Sequence, residues 1–94
     1  MTGDDFEWDE AKAAENYAKH GVGFELAIKV FDDPFGIERL DDREDYGEDR
    51  FILIGAAEGA VLTVVYTERN GRIRIISARQ ATRHEHDDYF IENN

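Results

Sequence analysis

The 94 residues are enough for one modest hydrophobic core and too few for two. The absence of cysteine excludes a disulfide framework or a thiolate metal site. The chain shows neither a signal-peptide layout nor a membrane-length apolar run, so a cytoplasmic protein with no membrane contact is expected. A net charge of −11 argues against a general nucleic-acid binder, because non-specific affinity comes from Lys and Arg neutralising phosphates.

The charge is segregated, however. Residues 1–49 carry 16 acids and 5 bases, residues 50–84 carry 2 acids and 6 bases, and residues 85–94 carry 4 acids and no base. Local field rather than net charge decides what docks at a cleft.

In chain order, Phe6 and Trp8 at alternate positions predict a short strand. Asp9 caps a helix over 10–20 that Gly21 stops, with Ala11, Ala14, Tyr17 and Ala18 as its predicted apolar face. Phe24, Ala27, Ile28 and Phe31 recur at helical spacing and predict a second helix over 24–32. Gly23 is its weak cap, and the bias against αR before Pro34 ends it.

Beyond Pro34 the period becomes two. Residues 36–40 read as an edge strand and residues 41–49 as an acidic loop. Phe51-Ile52-Leu53-Ile54 is a strand turned by Glu58-Gly59 into residues 61–66. Asn70-Gly71 between apolar runs predicts a tight hairpin, placing Arg69 opposite Arg72, Thr67 opposite Arg74 and Val65 opposite Ile76. Thr82-Arg83-His84-Glu85 is a capping box opening a helix with Tyr89, Phe90 and Ile91. The pattern predicts an α+β fold: N-terminal helices packed on a four-stranded antiparallel sheet, plus the short N-terminal strand, with a C-terminal helix. The sheet face away from the helices is expected to stay free.

Arginine carries the chemistry of this pattern. Arg69 and Arg72 directly opposite each other cost stability unless the tip flares into water or an anion meets the face. Arginine forks stabilise charge on phosphoryl oxygens by bidentate hydrogen bonds. RNA cleavage further needs a group that activates the 2′-OH and one that protonates the leaving 5′ oxygen, for which His20, Glu68 and the tyrosines are available. Lys19-His20 ends the first helix, where the dipole favours a cation. Strand parity separates Arg79 from Arg72 and Arg74. His84 and His86, two apart on a helix, read as surface residues. No metal-ligand spacing, glycine-rich phosphate loop or nucleophile elbow around Ser77 is present, so no metal or other cofactor is expected.

The motif order resembles a known family. Phe6-Glu7-Trp8-Asp9, Lys12, Asn16, Lys19-His20-Gly21-Val22, Phe24-Glu25 and Phe31-Asp33-Pro34 are similar to the opening of BrnT toxins of BrnT/BrnA type II toxin–antitoxin modules. The second half agrees in Gly47-Glu48-Arg50, Ile54-Gly55, Val65-Tyr66-Thr67-Glu68-Arg69, Ile73-Arg74-Ile75-Ile76-Ser77-Ala78-Arg79, Ala81, Arg83, Glu85 and Tyr89. The resemblance implies a RelE-like fold and a ribonuclease activity that arrests translation. It also implies neutralisation by a BrnA antitoxin with a ribbon-helix-helix domain, DNA being met only through the toxin–antitoxin complex. On this reading His20, Glu68, Arg74 and Arg79 are catalytic, with Glu68 or His20 moving protons, and Lys19, Arg50, Arg69, Arg72 and Arg83 bind RNA phosphates. A departure is the acidic C-terminal helix, with His84, His86, Asp87 and Asp88 where the family is commonly basic. It is the feature favouring the alternative class, an inactive module that only binds an antitoxin.

Overall fold

A computed structural model describes residues 5–93. Its elements are β1 (Phe6–Glu7), α1 (Glu10–His20), α2 (Phe24–Ala27) running into a 3₁₀ helix (Ile28–Asp32), β2 (Ile37–Asp41), β3 (Arg50–Ala57), β4 (Ala60–Arg69), β5 (Arg72–Gln80) and α3 (Arg83–Glu92). The α+β class stands, with one five-stranded sheet in the order β1-β5-β4-β3-β2. The meander from β2 to β5 is antiparallel, as its short connections require. The expected wholly antiparallel sheet is corrected at its edge: β1 runs parallel to β5, pairing Phe6 with Ile73 and Glu7 with Arg74. A parallel pair needs a long return, which the intervening helices and strands supply.

Asn70 and Gly71 take φ of 55° and 77°, the left-handed pair of a two-residue hairpin turn. Arg69 faces Arg72 and Thr67 faces Arg74, as predicted. A bulge then intervenes: Tyr66 pairs with Ile75 and Val65 with Ser77, leaving Ile76 as the extra residue. Val65 therefore does not face Ile76. Because one inserted residue reverses the alternation beyond it, Ser77 and Arg79 share the face of Arg72 and Arg74, which overturns the parity separation.

The other face packs beneath α1, α2 and the 3₁₀ helix. Phe24, Ala27 and Val30 meet Leu53, Leu62, Val64, Tyr66, Ile75 and Ala78 there. The predicted second helix is α-helical only to Ala27. Its tighter 3₁₀ continuation stacks residues three apart, so Phe24, Ala27 and Val30 form one buried line. The line lies close to β3, since a Cβ on Gly55 would stand 2.8 Å from Val30 Cγ1.

Asp9 caps α1 by accepting from the Ala11 and Lys12 amides, and Gly21 closes it. The predicted inner face is wrong. Tyr17 is 62% exposed, and α1 instead turns Ala13 and Asn16 inward. β1 stops at Glu7 and leaves β5 without a neighbouring strand at Ala78. Asn16 takes that place: its Nδ2 donates to the carbonyls of Ala78 (2.8 Å) and Val22 (3.0 Å), and its Oδ1 accepts from the Ala78 amide (3.1 Å). A buried backbone pair needs partners more than α1 needs apolar burial, so a polar side chain faces the core.

The capping box forms as predicted, but α3 does not leave the second face free. Glu85 accepts from the Thr63 hydroxyl at 2.9 Å and from Arg79 at 2.6 and 3.0 Å, while Asp88 and Glu92 pair with Arg39 at 3.2 and 3.3 Å. The Tyr89 hydroxyl donates to Asp33 at 2.6 Å. Burial works to raise the Asp33 pKa, yet hydrogen bonds from Tyr89 and the Ala56 and Phe35 amides hold it below the usual carboxylate value. The same bond pushes the Tyr89 phenol up to about 12.

Candidate functional site

One row of paired residues crosses all five strands on the second face: Asp41, Arg50, Thr67, Arg74 and Glu7. Arg50 and Arg74 thus flank Thr67, with backbones about 10 Å apart, two strand spacings. At the β4–β5 tip Arg69 and Arg72 form the next row. The far end of the face lies under α3. The near end opens into a cavity of about 460 Å³ whose other wall is α1.

Asp9, Lys12, Glu15, Asn16, Lys19 and His20 line it from the α1 side, and Glu48, Arg50, Arg69, Arg74, Ile75, Ile76 and Ser77 from the sheet and the β2–β3 loop. The bulge at Ile76 turns this stretch of β5 toward the helix, as bulges re-aim side chains beside sites. Lys19 and His20 sit in the last turn of α1, where carbonyl dipoles favour a cation.

Five of the nine proposed site residues therefore meet in one cavity: Lys19, His20, Arg50, Arg69 and Arg74. The other four lie elsewhere. Arg72 donates to the Phe6 carbonyl at 2.8 Å and lies 3.8 Å from Glu7. Arg79 is joined to Glu85 beneath α3, and Arg83 is exposed at the start of α3. Glu68 pairs with Ile73, which puts it on the helix-packed face, exposed beyond the core.

The anions that meet the arginine tip are the protein's own. Glu48 accepts from Arg50 Nε and Arg69 Nη2, both at 3.2 Å, and Glu7 accepts from Arg74 Nη1 at 2.9 Å. The Arg69 hydrogen bond and then that of Arg50, outweighing partial burial, lower the Glu48 pKa. The Arg50 guanidinium carbon also lies 4.1 Å from the centroid of the Tyr46 ring, a cation–π contact. Chemically, the cavity gathers arginine forks that can hold a phosphate and a histidine that can carry a proton. Among the described residues no group of three or more His, Asp or Glu is arranged to hold a metal ion.

The site reading by chemistry missed Glu48, Lys12 and Asn16. Lys12, Asn16, Lys19 and His20 stand at helical spacing, so a polar stripe along α1 was the available signal, set aside for the alanine face. Glu48 had no periodic signal, because a loop has no period to read, and stood out only in the Gly47-Glu48-Arg50 motif of the family resemblance.

A family model described as "Ribonuclease toxin, BrnT, of type II toxin-antitoxin system" matches residues 8–85. The comparison with curated proteins gave no match. No helix among the described residues is long and apolar enough to cross a membrane.

Proposed function

Since the chain belongs to the BrnT family of ribonuclease toxins of type II toxin–antitoxin systems, we propose that it is a metal-independent cytoplasmic endoribonuclease that cleaves RNA in the α1–β5 cavity and so arrests translation. The observation that carries this reading is the row in which Arg50 and Arg74 flank Thr67 and face Lys19 and His20 across the cavity. An RNA phosphate between the two walls has its non-bridging oxygens held by Arg50 and Arg74, which stabilise the charge that grows as the 2′ oxygen attacks phosphorus. Lys19 adds attraction from the helix side. His20 is the proton-carrying group on that wall, positioned to take the 2′-OH proton or to return one to the departing 5′ oxygen.

The partner is a BrnA-like ribbon-helix-helix antitoxin. It presents acids to the arginine end and basic or apolar groups to the acidic flanks, and it gives the complex at least two toxin copies and its only link to DNA. Electrostatic docking of this kind weakens as salt rises, and light scattering of the co-purified pair at low and high salt reads both size and salt response.

Expression without a partner tests the activity. The expected result is growth arrest with RNA degradation, and cleavage by the purified protein that persists in EDTA. Unaffected growth with abundant folded protein favours the interaction-module reading instead.

A further inference from the structure

The two carboxylates that meet the cavity's arginines are held differently. Glu7 belongs to β1, and its backbone is paired to Arg74 of β5, so it is fixed to the sheet. Glu48 belongs to the β2–β3 loop, between exposed Gly47 and Asp49, and its side chain is 28% exposed. One of its oxygens meets Arg50 and the other Arg69, each at 3.2 Å, longer than the roughly 2.8 Å of a tight charge-assisted bond.

Two of the contacts around Glu48 do not involve its side chain. The Thr67 hydroxyl donates to the Asp49 carbonyl at 2.6 Å, which anchors the chain beside Glu48, and the Tyr46 ring supports the Arg50 guanidinium. With Glu48 28% exposed, rotation about its side-chain bonds can carry the carboxylate into solvent, and Arg50 keeps its Tyr46 support while Arg69 is free to meet the incoming anion.

We propose that Arg50 and Arg69 form a phosphodiester site whose resting occupant is the Glu48 carboxylate, and that single-stranded RNA binds by exchanging one phosphate for it. The proposal rests on the ribonuclease reading of the cavity and deepens it by naming a second phosphate position, next to the one between Arg50 and Arg74 and sharing Arg50 with it, and the group that competes there. A carboxylate and a phosphodiester each bring one negative charge and two acceptor oxygens, so the exchange preserves the charge and hydrogen bonding of the fork. The displaced Glu48 carboxylate stays near the bound phosphate as an added negative charge, so fewer cations leave the RNA for this contact than for a phosphate meeting free arginines. Binding is therefore less salt-dependent than the number of phosphate contacts suggests.

A 2′-O-methyl RNA oligonucleotide has no free 2′-OH to attack its phosphates, so its binding is measured without cleavage. Fluorescence anisotropy over a salt series compares the wild type with Glu48→Gln, Arg69→Gln and the double variant. Glu48→Gln is expected to bind roughly three- to tenfold tighter at low salt, the worth of one or two half-exposed ion pairs. Its log–log salt slope should be steeper by about 0.7, one phosphate's share on a single strand. Adding Arg69→Gln should abolish both changes.

Equal or weaker binding by Glu48→Gln with an unchanged slope overturns the proposal and makes Glu48 a fixed part of the wall. Glu48→Ser carries the same expectations should Glu48→Gln melt early. Cleavage of unmodified RNA, assayed in parallel, separates the two failures. The affinity gain without any cleavage leaves the exchange site standing and removes the ribonuclease reading. Cleavage without the gain removes the exchange site alone.

Discussion

At one end of the second sheet face Arg50, Arg69 and Arg74 look into an open cavity, and their partners Glu48 and Glu7 keep about a quarter of their side chains in water (28% and 26% exposed). At the other end Arg79 makes a two-pronged pair with Glu85 of α3, which is 17% exposed and also accepts from Thr63 and the Thr82 amide. The residue types and the face are the same. What differs is how completely the carboxylate partner is committed: Glu85 closes a network that includes a helix cap, whereas Glu48 spans two arginines from a loop. On the proposed reading, an arginine on this sheet serves as a ligand site or a structural tie according to whether its counter-ion is replaceable.

The contrast is broken most directly at the open end. Arg74→Ala, and independently Arg50→Ala, should lower RNA cleavage by about 10²-fold or more if the fork meets the transition-state phosphate. Thermal melting should change little, and retained cleavage would move the chemistry out of the cavity. Asn16→Ala tests the wall rather than the forks. Losing three buried hydrogen bonds at Val22 and Ala78 should cost about 3 kcal/mol, a fall in Tm on the order of 10–20 °C. An unchanged Tm would mean that α1 is held by other contacts.

Arg79→Ala probes the closed end. It should destabilise by about 1–3 kcal/mol, since Glu85 loses its cation, while the folded fraction keeps its cleavage rate. A folded Arg79→Ala protein that fails to cleave RNA would reverse the assignment of the two ends.

The smallest effect is visible only in acid. Hydrogen bonds from Arg79, working against burial, and then those from the Thr82 amide and Thr63 depress the Glu85 pKa from 4.5 to about 2. A depressed carboxylate contributes fully above its unfolded value, and that contribution is lost as pH falls from 4.5 toward about 2, because there the unfolded chain binds the extra proton. Denaturant unfolding across this window should show a slope that Glu85→Gln flattens. An equal slope in both proteins would show that Glu85 is not tied as described.

Local rules account for most of the fold. Asp9, Gly21, the Thr82 box, the Asn70-Gly71 turn and the apolar runs of β3 and β4 are each decided by interactions among residues a few positions apart, so a linear reading recovers them. The motif order along the chain likewise carried the family, and Lys19-His20 and the arginines of the tip were visible as a charge pattern.

Long-range partners decided the rest. α1 shows Asn16 to the core because β5 has an unpaired peptide 62 residues away. Arg79 joins the face of Arg74 because β5 contains one residue more than β4 opposite it, which alternation within a single strand cannot reveal. Glu48 reaches Arg50 and Arg69 because two strands bring a loop beside a hairpin tip, and Arg79 is paired because the first turn of α3 brings Glu85 against it. In each case the deciding free energy lies in satisfying a backbone group or charge whose partner is distant in sequence, and that partner exists only once the chain has folded.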